Sequence, residues 1–174
     1  WGFDWDGDFS NISSQLSGEI DVIDIVGSTF AFAAIREDGS VVTWGHQDWG
    51  GDSSSVASQL SGEIDVIEIV DNRYSFAAIR EDGSVVTWGV QNAGGDSTSV
   101  ASELSGEINV IDIVGNTSSF AALREDGSVV TWGQDDQGGD SSSVASQLSG
   151  EIDVVKIIDG NGSYAALRED GSVI

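Results

Sequence analysis

The chain has 174 residues, 39% of them hydrophobic, and its 30 Asp and Glu against six Lys and Arg give a formal net charge of −24. That balance argues against nucleic acid or an anionic membrane as partner, since both need clustered cations, while the hydrophobic share suffices for a packed core and argues against disorder. There is no Cys, so disulfides and thiolate metal sites are excluded, and no run of 18 apolar residues offers a membrane-spanning helix.

In chain order, Trp1-Gly2 reads as the tail of a unit that returns in full later, and "DWDGD" (Asp4–Asp8) as an acidic loop. From Gly18 onward a 44-residue register takes over, marked by Gly18, Gly62, Gly106 and Gly150 and by Phe32, Phe76, Phe120 and Tyr164. In the second copy, β-branched Glu63–Val70 predicts a strand. Asp71–Tyr74 reads as a polar turn. Ser75–Ile79 predicts a second strand, with Ala77 and Ala78 marking close packing. Glu81–Ser84 holds an Asp-Gly pair between apolar runs, which predicts a hairpin turn with glycine at positive φ. Val85–Gly89 is a third strand, and Val90–Ser97 a glycine-rich loop. Thr98–Gly106 predicts a short helical turn started by a Ser or Thr cap, with Val100 and Leu104 inward and Gly106 closing it. The last copy begins at Arg168 as "REDGSVI".

A fixed period of this size signals units that bury a core only against their neighbours. The fold expected is all-β, one array over residues 1–174 with repeats near 1–45, 46–89, 90–133 and 134–174. Each repeat is a propeller-like blade of three to four antiparallel strands, with a β-solenoid as the alternative. Like-charged rows at Asp21, Asp65 and Asp153 and at Glu37, Glu81, Glu125 and Glu169 favour the propeller, because a stacked ladder would set them directly opposite one another. The split final unit predicts a segment of a longer array, or a protomer whose ends a neighbour completes.

The small-residue strand, the "EDG" turn and "SVVTWG" (Ser84–Gly89 and its copies) resemble the regulator-of-chromosome-condensation repeat, most nearly its short bacterial form, also found in a secreted β-lactamase-inhibitory propeller. The resemblance covers the whole chain. It implies a propeller, typically of seven blades, that works by protein contact through loops on one face. The nucleotide-exchange activity of the eukaryotic members is not implied, since no determinant residue matches.

Candidate chemistry is sparse. Asp4, Asp6 and Asp8 begin like a calcium loop, but Phe9 and Gln15 stand where the helix–loop–helix calcium pattern needs Gly and Glu. Calcium there is the one cofactor considered; otherwise none is expected. The single His46 falls at a position held by Val90 and Gln134 in other copies, so a catalytic triad is not expected. Arg36, Arg80, Arg124 and Arg168 are expected to bridge carboxylates, and Trp44, Trp88 and Trp132 to anchor neighbouring blades. Trp5 and Trp49 lie in loops and are the candidate contact residues. The expected function is a non-enzymatic structural or adhesive module of a bacterial surface protein or filament, located outside the cell or on its surface. Its expected partners are proteins, namely copies of itself or neighbouring repeats. The alternative is a discrete protein-binding propeller, an inhibitor or recognition domain.

Overall fold

Sequences as rich in Val and Ile as these form strands when two faces can be covered, and for the second and third sheets the fold supplies both covers. The computed structural model describes residues 12–174. Among them are eleven strands: β1 (Val22–Gly27), β2 (Ala31–Arg36), β3 (Val41–Gly45), β4 (Val66–Asp71), β5 (Ser75–Arg80), β6 (Val85–Gly89), β7 (Val110–Gly115), β8 (Ser119–Arg124), β9 (Val129–Gly133), β10 (Val154–Gly160) and β11 (Ser163–Arg168). They form three three-stranded antiparallel meanders and a final pair. Val173 bridges back to Leu167 as the start of a third strand on that pair. No described helix is long and apolar enough to cross a membrane.

The innermost strand of each sheet does not alternate as its sequence suggests. Its register shifts between Val66 and Glu68, opposite Arg80 and Ile79, so Ile67 is the extra residue of a β-bulge. Val66 and Ile69, three apart, therefore share the buried face at 2% and 5% exposure, while Ile67 is 61% exposed. Register shifts at the equivalent places follow Val22, Val110 and Val154.

The hairpin turns close over three residues rather than two. Arg36 N–H bonds to Ser40 O, and Gly39 N–H to Arg36 O, each at 2.9 Å. Among the described residues only glycines have positive φ, with Gly39 at 71°, so Asp38 stays in the ordinary region and glycine supplies the left-handed step. Asp38 instead accepts from the Ser40 hydroxyl, which holds its carboxyl below the usual range. Arg36 donates to that same hydroxyl at 2.8 Å and lies 3.8 Å from Asp38. The repeated arginine thus braces its own turn through serine.

The expected helical turns are short 3-10 turns at Ser54–Val56, Thr98–Val100 and Ser142–Gln147. Ser53, Ser97 and Ser141 stand at their N-caps as expected but make no side-chain cap bond. Asp52, Asp96 and Asp140 accept the Ser54, Thr98 and Ser142 amides at 2.8–2.9 Å. Beyond each turn a leucine points inward, and the Leu60, Leu104 and Leu148 carbonyls accept from Val41, Val85 and Val129 at the edge of each sheet.

Strands of one repeat bond to each other and pack face to face on the next repeat, as propeller blades do. Ala31, Ala33 and Ile35 of the first sheet pack on Val66, Ile69, Phe76, Ala78 and Trp88 of the second. Ala77 and Ile79 then pack on Val110, Ile113, Phe120 and Trp132, and Ala121 and Leu123 on Val154, Ile157 and Ala166. Backbone bonds stitch the same junctions: Val66, Val110 and Val154 donate to Gly39, Gly83 and Gly127 of the preceding repeat at 2.9–3.0 Å. Trp88 and Trp132 are 2% exposed, and their indole N–H groups reach back to the Gly50 and Gly94 carbonyls at 3.1 and 3.0 Å, so they anchor neighbouring blades.

The equal burial expected for the four aromatic positions holds only inside the arc. Phe76 and Phe120 are fully buried, but Phe32 is 43% exposed because it faces the side on which no described sheet packs. Tyr164 is half-buried and its hydroxyl meets Ser119 Oγ at 3.0 Å; burial pushes its ionisation well up, with that hydrogen bond opposing. No strand pairing joins the first and last sheets among the described residues, which leaves an open arc.

Candidate interaction face

With each loop counted in the repeat of the sheet that it follows, superposing the repeats on the 44-residue register separates constant from varied positions. The Arg-Glu-Asp-Gly-Ser turn is identical in all four copies. Non-conservative changes gather in two short segments. One is the turn between the first two strands: Ser28-Thr29-Phe30, Asn72-Arg73-Tyr74, Asn116-Thr117-Ser118 and Gly160-Asn161-Gly162. The other follows the third strand: His46-Gln47-Asp48-Trp49, Val90-Gln91-Asn92-Ala93 and Gln134-Asp135-Asp136-Gln137.

The fold brings both segments to one end of every blade. His46, Val90 and Gln134 donate backbone N–H groups to the Phe30, Tyr74 and Ser118 carbonyls at 2.8, 3.2 and 2.9 Å. The invariant hairpin turns lie at the opposite end. In the second and third repeats an asparagine fastens the two segments: Asn72 Nδ2 donates to Ala93 O, and Asn116 Nδ2 to Gln137 O, each at 2.7 Å. The first repeat has Ser28 there, and its hydroxyl bonds only within its own turn, accepting from the Phe30 and Ala31 amides and donating to the Ala31 carbonyl.

Aromatic packing holds the loop of the first repeat. Phe30 lies 3.8 Å from Trp49 between ring centroids, His46 stacks on the same indole at 4.6 Å, and Tyr74 of the next repeat meets it edge-on at 5.9 Å. Arg73 caps the group, its guanidinium 5.2 Å from the Tyr74 ring centroid. His46 Nδ1 is buried with no hydrogen-bond partner. Trp49, Phe30, His46 and Tyr74 are half-buried and Arg73 is exposed, so the cluster is an aromatic platform at the surface with one basic group on it.

Of the candidate contact residues, Trp49 sits at the centre of this platform, whereas Trp5 lies outside the described residues. So do Asp4, Asp6 and Asp8. In the equivalent loops Asp52, Asp96 and Asp140 are occupied as turn caps, and those amide bonds hold their carboxyls below the usual range. Among the described residues no three His, Cys, Asp or Glu side chains converge as metal ligands. His46 is read from the sequence only as an argument against a catalytic triad, and Phe30, Arg73 and Tyr74 are not singled out there; each breaks the repeat pattern, and that departure is the available signal.

The inner wall of the arc has a second character. The bulge residues Ile23, Ile67, Ile111 and Val155 are 52–63% exposed. Beside them run Asp24, Glu68, Asp112 and Lys156. Burial raises the ionisation of Glu68, and its neighbours Asp112 and Asp24 add to the shift.

No family model and no curated protein sequence matches the chain. Solved structures do. The ectodomain of the Arabidopsis thaliana receptor kinase ACR4 aligns over 90% of this chain and 56% of its own, with a TM-score of 0.59 and 16% identity. The ectodomain of the Physcomitrella patens receptor kinase CR4 aligns over 87% and 37%, with a TM-score of 0.57 and 16% identity. Prp20p of Saccharomyces cerevisiae, yeast RCC1, aligns over 88% and 43%, with a TM-score of 0.57 and 18% identity. The chain thus has the RCC1-like propeller fold and spans roughly a third to just over half the length of these solved proteins.

Proposed function

We propose that this chain is a non-enzymatic protein-interaction module built from short bacterial-type repeats of the chromosome-condensation-regulator class. In this reading it serves as a structural or adhesive part of an extracellular or cell-surface assembly, and its partners are proteins, including copies of itself.

The observation that carries the reading is the division of the blades into a constant end and a varied end. Packing and turn chemistry hold the hairpin end fixed, while the strand 1–2 turns and the following loops change from copy to copy and build the Trp49 platform. Tryptophan, tyrosine and arginine together on one patch are the side chains that most often carry contact energy. The fold neighbours add support: Prp20p binds Gsp1p and histones, and the two plant neighbours are receptor ectodomains. A net charge of −24 would draw a partner with a basic contact surface. His46 stacks on the Trp49 indole, a packing role that supports reading this patch as a contact surface.

The test borrows residues that the fold already accepts. The triple variant Phe30→Ser, His46→Gln, Trp49→Gln installs the third repeat's Ser118, Gln134 and Gln137 in the first. Immobilised wild type and triple variant are compared for proteins retained from surface extracts of the source cells, quantified by mass spectrometry. At least one protein should fall about tenfold or more with the variant, the loss expected when an interfacial tryptophan is removed. Identical retention by two folded chains would overturn the reading.

A further inference from the structure

Among the described residues, the sheets at the two ends of the arc each leave one face without a neighbour, and these faces are the two halves of a contact the chain already builds three times. On the β10–β11 sheet, Ile158, Leu167 and Val173 are 53%, 39% and 66% exposed. Their equivalents one repeat earlier, Val114, Leu123 and Val129, pack into the core under the fourth sheet. On the β1–β3 sheet, Ile25 and Phe32 are 58% and 43% exposed, whereas the equivalent Ile69 and Phe76 are 5% and 0%.

The turns report the same thing independently. Gly39, Gly83 and Gly127 are pressed against Asp65, Asn109 and Asp153 of the following repeat, close enough that a Cβ would collide. Gly171, the fourth such turn, has nothing within 4 Å of its Cβ position. Asp21 is the residue of the first sheet that corresponds to those three partners, and Val22 carries the amide that corresponds to the Val66, Val110 and Val154 donors.

We propose that the first sheet of one copy seats on the last sheet of a second copy, head to tail, with Ile25 and Phe32 against Ile158 and Leu167 and with Asp21 against the Gly171 turn. A second copy is the occupant because this chain presents both halves of the contact in matching register, and three internal junctions show how those halves fit. The contact is heterologous, so repeated addition gives a ring if the rotation closes and a filament if it does not. The proposal specifies the surface behind the self-association in the reading above. It does not use the Trp49 platform.

The test is the mass of the 174-residue chain by sedimentation velocity over a dilution series. It is run at about 0.5 M sodium chloride, where screening over a few ångströms lifts the mutual repulsion of such acidic copies. The proposal predicts species at multiples of 18.1 kDa that grow with concentration. Ile25→Lys and Leu167→Lys change exposed side chains, so both variants should keep the wild-type circular dichroism, and each should return to monomer alone. Mixed in equal amounts they should form a two-chain species, because each retains the half that the other lacks. A wild type that stays monomeric, or association that survives either single substitution, overturns the proposal. Trp49→Ala should leave association unchanged. A failure here with partner capture intact therefore separates this surface from the functional reading, and the converse holds as well.

Discussion

Replacing Phe120 by Ala removes a ring that is fully buried, stacks on Trp132 at 5.3 Å and bears on the backbone of Gly94 from the preceding repeat. Truncation of a buried phenylalanine costs about 3–5 kcal/mol, since the lost transfer energy is joined by a cavity the surroundings close only partly. For a chain of this size each kcal/mol shifts Tm by about 2–4 °C, so the midpoint should fall by about 6–20 °C. Phe32→Ala removes the same side chain at the equivalent place, but there the ring is 43% exposed and stacks on Trp44 at 5.4 Å. About 1–2 kcal/mol is then at stake, or about 2–8 °C. The pair is measured by thermal and urea unfolding followed by tryptophan fluorescence. Urea slopes serve as the check that both variants unfold over a similar surface, because repeat arrays can lose cooperativity. Equal losses at the two positions would refute the reasoning, since they would show that burial between blades does not set the contribution of this residue.

Gly94 has φ of 96°, and a Cβ there would come 2.6 Å from the Phe120 ring, so Gly94→Ala should cost about 2–4 kcal/mol from backbone strain and overpacking. Gly18→Ala has φ of 85° but open space around it and should cost only the backbone part, about 1–2 kcal/mol, both read as urea midpoints. Stability should peak at mildly acidic pH. Glu68 and Asp71 have raised carboxyls, chiefly through burial, so the folded state binds protons more readily than the unfolded one and gains stability as pH falls toward the ordinary carboxylate range. Below that range Asp38, Asp52, Asp96 and Asp140, whose carboxyls are depressed by hydrogen bonds, must take up protons, and their contribution is lost; a Tm that only rises down to pH 3, or only falls from pH 7, would contradict this. Sodium chloride should raise Tm by screening the acidic surface. If Asp4, Asp6 and Asp8 bind calcium, calcium chloride should raise Tm further at matched ionic strength, and equal responses would reject a calcium site.

Much of the blade was legible because its signals are local. Val85–Gly89 is a strand with the bounds read from sequence, and the glycine of each Asp-Gly pair does take positive φ. The first strand was read as Glu63–Val70 but runs Val66–Asp71, because the bulge at Ile67 replaces alternation with an i, i+3 face, and a bulge depends on the partner strand. The helical turn was placed correctly and its capping bond was not: Asp96 lies two residues before the Thr98 amide it holds, and Ser97 makes no cap bond. The candidate face was harder to see. Trp49 stood out as a loop tryptophan, but Phe30, Tyr74 and Arg73 sit at ordinary-looking turn positions. They meet Trp49 only because the end of the third strand returns beside the first turn, a tertiary relation that periodicity does not encode. In three of the loops an identical Gly-Gly-Asp-Ser segment masks the variation, whose non-conservative part lies in the four residues before it, His46–Trp49 and their equivalents.

Amide hydrogen exchange at Val66, Val110 and Val154, resolved by NMR, tests most directly that neighbouring repeats are joined as blades that hold the varied turns on one face. Each of these amides donates to a glycine carbonyl of the preceding repeat, at 3.0, 3.0 and 2.9 Å. Protection close to that of the β5 and β8 strand centres is the predicted result, since opening them requires separating two packed sheets. Exchange at the rate of the exposed loops, with the strand centres still protected, would show sheets that fold without docking on one another and would contradict the account.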